Sequence, residues 1–165
     1  LCAKESCNSN AAVPPMMYIQ VPRQLTTVTL ERVTEIHTGP GPGEEGLEAV
    51  EAVEARLAEE KEPSFISDCG SRVRWMNGAF KQMLDDGSST ATPELTFLCC
   101  AEKMPRGVSA FSGCVNLEWM KGGRRRSMIV PCDVTMVRDK SMMEMWVWKF
   151  DMEVSLCLNL SPRCS

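Results

Sequence analysis

The chain has 165 residues, 44% of them hydrophobic, which is enough for one domain with a buried core and an appended segment. Its net charge is −4, but residues 1–62 carry a net charge of −6 and residues 63–165 carry +2. This balance excludes the overall basicity that is typical of nucleic-acid-binding proteins. No apolar run approaches the ~18 residues of a membrane span, so we expect no membrane contact.

The first segment, residues 1–43, contains Ser, Asn and Pro without periodicity and ends in a Gly/Pro-rich stretch at 37–43. We expect a mostly disordered tail followed by a flexible linker, because such a composition buries too little apolar surface to fold. One β-rich run interrupts this segment, LTTVTLERV at 25–33, and we interpret it as a strand.

An acidic amphipathic helix is predicted over residues 44–62. Val50, Val53 and Leu57 recur at spacings of three and four and share one face, while glutamates cover the other face. Two interpretations stay open. The helix docks on the domain with a solvated acidic face, or it binds a partner or a second copy of the chain.

A hairpin followed by a helix is predicted next. The runs SFISD and RVRWMN are short β segments on either side of a polar turn. Asn77 is a good N-cap for the run GAFKQML that follows it, and Phe80 lies on the apolar face of that helix.

The remainder of the chain is predicted to be mostly strands, beginning with the run ELTFLCCAEKM at 94–104. Three longer runs then form an antiparallel meander, and the pair Gly122-Gly123 indicates a tight hairpin between the first two. These runs are FSGCVNLEWM at 111–120, SMIVPCDVTMV at 127–137 and MMEMWVWKFDM at 142–152, and the last piece, EVSLCLNL, is a strand or a helix. The predicted class is therefore α+β, with helices against one face of an antiparallel sheet.

The motif from Asp68 to Phe80 resembles the opening of a PAS domain. That family has roughly Asp-x-x-Gly, then Ile or Val, then Asn-x-Ala-Phe, and the turn is one residue tighter in this chain. The matching residues are Asp68, Gly70, Val73, Asn77, Ala79 and Phe80.

More closely, the chain resembles a plant-specific family of uncharacterised proteins with a PAS-like domain. Three landmarks carry this resemblance, namely Phe65–Ala79, Val130–Val134 and Trp148–Asp151. The resemblance covers residues 63–160 and implies a PAS-like antiparallel sheet there, preceded by the acidic helix.

PAS domains bind cofactors between their sheet and their helices, so the resemblance implies a ligand position. An apolar ligand there would contact side chains of the opening motif and of the meander, namely Trp75, Phe80, Met83, Trp146 and Trp148. Only a short stretch separates Leu84 from the next strand, which leaves little room, since ligand cavities need roughly 300 Å³ or more. We therefore expect no cofactor.

A basic cluster lies at the predicted hairpin tip and consists of Lys121, Arg124, Arg125 and Arg126. One interpretation is that these side chains contact phosphate groups or act in nuclear import. The other is that they only protect an exposed turn from self-association.

Motifs that carry catalytic chemistry are sparse. The single histidine, His37, lies in the predicted linker, and the chain has no Gly-x-Ser-x-Gly, Walker or Gly-x-Gly-x-x-Gly motif. We expect Asp68 and Asp133 to make local backbone hydrogen bonds rather than to form a carboxylate pair. The chain is therefore predicted not to be an enzyme.

The nine cysteines include no Cys-x-x-Cys pair. Cys99 and Cys100 are adjacent, so on a strand they point to opposite faces, whereas zinc needs three or four converging ligands. We expect no metal site. Reduced cysteines that pack as small hydrophobic residues fit this spacing better than a disulfide scaffold, which indicates an intracellular protein.

These features predict a non-enzymatic, PAS-like module that acts through protein–protein interaction in regulation, for example of transcription in the nucleus. A protein partner or a second copy of the chain would bind it, and direct nucleic-acid binding is not expected. The alternative is a sensor that binds a small apolar molecule between the sheet and the helix.

Overall fold

The computed structural model of the chain describes residues 26–38, 49–69, 72–85, 103–154 and 156–158. Within these ranges the chain forms one antiparallel sheet of seven strands and two helices, so the α+β class is confirmed. In chain order the elements are β1 (Thr27–Ile36), α1 (Val50–Ala58), β2 (Ser64–Asp68), β3 (Val73–Met76), α2 (Gly78–Leu84), β4 (Ala110–Lys121), β5 (Arg124–Arg138), β6 (Glu144–Phe150) and β7 (Leu156–Leu158).

The strand order across the sheet is β1-β4-β5-β6-β2-β3, and β7 pairs with β5 outside this path. The strands β4, β5 and β6 form the predicted meander, joined by tight turns. The opening hairpin β2–β3 does not lie beside β4, its neighbour in sequence. It pairs with β6 instead, on the side of the meander that lies away from β1.

One face of the sheet packs against α2. Along β4 the residues alternate strictly between buried and half-buried positions, which is the pattern of a strand with one core-facing side. Phe80 and Leu84 of α2 are buried against this face together with apolar residues of β1, β2, β4, β5 and β6. This is the larger of two apolar clusters and forms the main core.

The opposite face of the sheet packs against α1. Val53 and Leu57 are fully buried there against Ile66 of β2 and Val147 of β6. The predicted position of the helices on one face of the sheet holds for α2, whereas α1 packs on the opposite face. Every residue of β2 is buried because the strand is covered from both sides, which is why its sequence shows no alternation of apolar and polar residues.

Ion pairs also attach α1 to the sheet at both of its ends. Glu51 in the first turn contacts Lys140 at 2.8 Å, and Glu60, just after the helix, contacts Lys149 of β6 at 2.7 Å. The hydrogen bond from Lys140 holds the pKa of Glu51 below its ordinary value, and the same bond raises the pKa of Lys140. Of the two interpretations of the acidic helix, the structure shows the docked one.

Asn77 joins the two helices to the sheet. Its side-chain Oδ1 accepts hydrogen bonds from the backbone N–H of Phe80, 2.9 Å away, and of Ser64, 3.1 Å away. Its Nδ2 donates to the carbonyl oxygens of Leu57 at 3.2 Å and Glu62 at 2.8 Å. The predicted N-cap is therefore confirmed, and the same side chain also connects the end of α1 to the start of β2.

The strand predicted at 25–33 is longer in the structure and belongs to the sheet. β1 runs from Thr27 to Ile36 and pairs with β4 along its length, so this part of residues 1–43 is not a tail. The strand predicted at 94–104 lies outside the described residues except for its last two positions. No described helix is long and apolar enough to cross a membrane.

Candidate functional site

The five side chains predicted to surround a ligand do not share one face of the sheet. Phe80 and Trp148 are buried in the main core, and Met83 and Trp146 are half-buried against it. Trp75 packs with α1 on the opposite face. The reason is the register of β3, in which Trp75 lies opposite Ile66 and therefore points to the α1 side.

Aromatic side chains fill the space between the sheet and α2. The ring of Phe65 lies 5.4 Å from Phe80, 5.7 Å from Trp148 and 5.5 Å from Phe150, measured between ring centroids. Phe111 extends the cluster, with its ring 6.2 Å from that of Trp148. Rings at such separations are in direct contact, so the protein's own core occupies the position at which the PAS resemblance implies a ligand.

The indole of Trp148 is also fixed by a hydrogen bond. Its Nε1–H donates to the hydroxyl of Ser67 on β2 at 3.0 Å, and both residues are buried. A buried indole N–H needs such an acceptor. This bond joins the hairpin β2–β3 to β6 across the middle of the cluster and holds the ring in one orientation.

The basic cluster lies at the tip of the β4–β5 hairpin, as predicted. Gly122 and Gly123 form the two-residue turn with backbone φ of 58° and 71°, values that favour glycine and give the turn its tight geometry. All four basic side chains, Lys121, Arg124, Arg125 and Arg126, are exposed. The tip is a two-stranded ribbon, since the described pairing of β1 with β4 starts at Glu118 and that of β7 with β5 starts at Ser127.

The four cations divide between the two faces of this ribbon. Lys121 is opposite Arg124, and Trp119 is opposite Arg126, so these side chains point to one face. Arg125 points to the other face, where it forms an ion pair with Glu118.

A small cavity lies beside the hairpin. Its volume is about 170 Å³, and it is lined by Thr27, Glu118, Trp119, Met120 and Arg125. Pockets for drug-sized ligands measure roughly 300–1,000 Å³, so this cavity is too small for one. Trp119 is only 8% exposed, and within the described ranges its Nε1–H has no hydrogen-bond acceptor.

A row of polar side chains crosses three strands near the other end of β4. The hydroxyl of Ser112 donates to Asp133 at 2.6 Å, and Nε2 of His37 lies 2.9 Å from the same hydroxyl oxygen. With the proton of Ser112 on its bond to Asp133, the serine oxygen accepts from Nε2 of His37 in the tautomer that carries the proton on that nitrogen. The row links three neighbouring strands, and the serine hydroxyl lies between the imidazole and the carboxylate, whereas in a Ser-His-Asp triad the imidazole lies between the other two groups.

This row corrects two predictions. His37 is not in a linker, since its backbone N–H donates to the carbonyl oxygen of Ala110 and continues the pairing of β1 with β4. Asp133 accepts a bond from a neighbouring strand rather than from its own backbone. Asp68, by contrast, accepts a bond from the backbone N–H of Arg72 at 2.9 Å, as predicted, and also pairs with Arg74.

The cysteines and potential metal ligands of the described residues form no cluster. Cys69 is exposed, Cys114 is half-buried and Cys132 is buried in the main core. Cys132 therefore packs as the small hydrophobic residue that was predicted. No three His, Cys, Asp or Glu side chains in the described ranges are placed to hold a metal ion. Cys99 and Cys100 lie outside those ranges.

Comparison with known proteins finds a match to a protein family. The match covers residues 24–157, which include all of β1 to β6 and most of β7. No curated protein and no solved structure matches the chain. The chain belongs to the family described as a domain of unknown function, DUF7950.

Proposed function

We propose that the chain is a non-enzymatic, PAS-like regulatory module that acts by binding a protein partner, in the regulation of transcription inside the nucleus. The observation that carries this proposal is the aromatic cluster around Phe65. It occupies the space where a PAS-type ligand would bind, whereas the basic hairpin tip remains exposed. An exposed, charged element on a rigid sheet is suited to recognition of another macromolecule.

The PAS-like assignment, and with it membership of a plant-specific group, is part of this proposal. Its support is the arrangement that the sequence resemblance implies. A hairpin at Ser64–Met76 leads through the capping residue Asn77 into a short helix, and a meander of three strands completes the sheet. The acidic helix α1 precedes this unit and docks on the other face.

Site-specific photo-cross-linking tests the interaction. A photoreactive amino acid is placed at Arg124 on the hairpin tip, and in a control chain at Arg106, which is also basic and exposed but lies outside the hairpin. The full chain is expressed in the cells that contain its partners. We expect a distinct protein adduct from position 124 that is missing from position 106. Identical adduct patterns from both positions, or no adduct from either, would contradict the proposal.

Native mass spectrometry distinguishes this function from the alternative, a small-molecule sensor. We expect the purified chain to have the same mass under native and denaturing conditions, because an apolar ligand would have to displace the rings of Phe65, Phe80 or Trp148. Additional mass that is retained under native conditions and lost on denaturation would favour the sensor. A native mass of twice the chain would instead identify a second copy as the partner.

A further inference from the structure

The basic face of the β4–β5 hairpin, defined here as Lys121, Arg124 and Arg126, has features of an anion-binding surface. Lys121 and Arg124 are directly opposite each other across the turn, and Arg126 lies two residues further along β5 on the same side. All three side chains are exposed, and no acidic residue in the described ranges pairs with Lys121 or Arg124. Among the described residues, Lys121 and Arg124 are therefore two cations without an acidic partner on one side of a narrow ribbon, and Arg126 lies next to them.

Trp119 provides a second and independent observation on this face. It lies directly opposite Arg126, so its indole is on the same side of the hairpin as the three cations. Trp119 is 8% exposed, and its Nε1–H is buried without an acceptor among the residues that the structure describes. Buried donors without acceptors are rare in folded proteins because they are costly. An oxygen atom brought to this face, with a small rearrangement of the exposed side chains around it, would supply the missing acceptor.

We propose that the basic face binds a phosphorylated serine or threonine in an extended segment of the protein partner. A phosphomonoester carries a charge of about −1.5 to −2 and three acceptor oxygens at neutral pH. The guanidinium of Arg124, the ammonium of Lys121 and the indole N–H of Trp119 supply one donor group for each of the three oxygens, and the two cations balance that charge. This inference rests on the proposed function and specifies the chemistry of the partner.

Other anions fit this face less well. A carboxylate has one charge and two oxygens, and each phosphodiester of a nucleic acid also has one charge, so neither satisfies all of the donors. A long polyanion is further disfavoured by the net charge of −4 on the chain. The cavity near Arg125 is not part of the site, because the carboxylate of Glu118 lines it and would repel an anion.

Peptide binding by the full chain tests this proposal. The probes are a short fluorescent peptide with a central phosphoserine, the same peptide with serine and with glutamate at that position, and a fluorescent DNA duplex. We expect the phosphopeptide to bind more tightly than all three others. Arg124→Gln should weaken its binding by about tenfold or more, because a charge-assisted contact is lost. Arg106→Gln, which removes the same charge elsewhere on the surface, should have no effect.

The indole N–H signals in NMR spectra locate the bound phosphate. The chain has four tryptophans, and Trp119→Phe identifies the signal of Trp119. We expect that signal to move downfield with added phosphopeptide as the N–H gains an acceptor. The signal of Trp148, whose N–H already donates to Ser67, should stay in place and serves as an internal control.

Several results would overturn the proposal. They are equal binding of the phosphorylated and unphosphorylated peptides, tighter binding of the DNA duplex, equal losses in Arg124→Gln and Arg106→Gln, or an unmoved Trp119 signal at saturation. If position 124 cross-links to a protein but the phosphopeptide does not bind, the phosphate chemistry is wrong while the proposed function stands.

Discussion

The side chain of Asn77 offers the sharpest test of how this fold is held together. It is 1% exposed and makes four hydrogen bonds, accepting from the N–H groups of Phe80 and Ser64 and donating to the carbonyls of Leu57 and Glu62. The Asn77→Ala substitution removes all four bonds. Because the site is buried, water cannot readily replace the lost partners.

The expected loss follows from these bonds. Removing an N-cap costs about 1 kcal/mol. Each further buried group left without a partner costs about 1–3 kcal/mol. The N–H of Ser64 is such a group, whereas the carbonyl of Leu57 still accepts from the backbone N–H of Glu60. The carbonyl of Glu62 is only part-buried and can bind water. The total is about 2–4 kcal/mol, a large fraction of the ~5–15 kcal/mol that stabilises a typical domain.

Asn77→Ser provides the matched control. Its hydroxyl can still accept a bond from the N–H of Phe80 and cap α2, but it is too short to reach Ser64, Leu57 and Glu62 as well. We therefore expect the serine variant to be about 1 kcal/mol more stable than the alanine variant, and both to be clearly less stable than the parent.

Denaturant-induced unfolding followed by circular dichroism measures these differences, and amide hydrogen exchange at Ser64 and Phe80 assigns them to the lost bonds. An alanine variant within about 1 kcal/mol of the parent, which is the value of an ordinary helix cap, would refute the reasoning. It would mean that the bonds to Ser64, Leu57 and Glu62 add nothing to stability.

Three further predictions concern backbone geometry and one ion pair. Gly113→Ala should destabilise the fold by about 1–3 kcal/mol in denaturant titrations, because the added Cβ would lie 2.6 Å from a backbone oxygen of β1. Gly78→Ala is the control and should not destabilise the fold, because a Cβ at residue 78 would have no atom within 4 Å. Met142→Gly should raise the free energy of unfolding by about 1 kcal/mol because Met142 has a φ of 62°, and an unchanged midpoint would contradict this. The hydrogen bond from Lys140 lowers the pKa of Glu51, so the contribution of the pair to stability is complete above pH 4.5 and is lost as the pH falls through the lowered pKa. The same bond raises the pKa of Lys140, so the contribution is complete below pH 10.5 and is lost as the pH rises through the raised pKa. Parent and Lys140→Gln should therefore differ most near neutral pH and converge at both extremes in pH-dependent unfolding, and a constant difference would exclude the pair as the cause.

The elements that sequence analysis located well are those with local determinants. α2 begins after Asn77 and ends at Leu84, as predicted, because the cap and the apolar spacing lie within the helix itself. The hairpin tip was equally predictable, since two adjacent glycines specify its turn. The exposed basic side chains beside that turn follow from the same short run of sequence.

The features that the sequence did not reveal depend on pairings between distant strands. The alternation of Trp75 with Arg74 and Met76 indicates that one side of β3 is apolar, but not which helix covers it. The register with β2, including an irregularity between Ile66 and Ser67, decides that Trp75 faces α1. A pocket predicted from residue type alone therefore combined residues from both faces of the sheet.

His37 illustrates the same limit. Its neighbours at 39–43 are glycine and proline, which indicates a linker, and its position at the end of β1 becomes evident only through the pairing with β4. A useful signal would have been the spacing of Ser112 and Asp133 around the hairpin turn. These residues are equidistant from Gly122-Gly123, so a tight turn there places them side by side.

The irregular pairing of β1 has a consequence for the behaviour of the protein at high concentration. β1 is the outermost strand on its side of the described sheet, and its register with β4 shifts twice, between Leu30 and Arg32 and again between Val33 and Glu35. Shifts of this kind twist and bend a strand, and the exposed charges of Glu31 and Arg32 interrupt its apolar surface. A second molecule therefore finds no straight, regular edge to extend, and growth of the sheet into amyloid-like stacks is blocked at this strand.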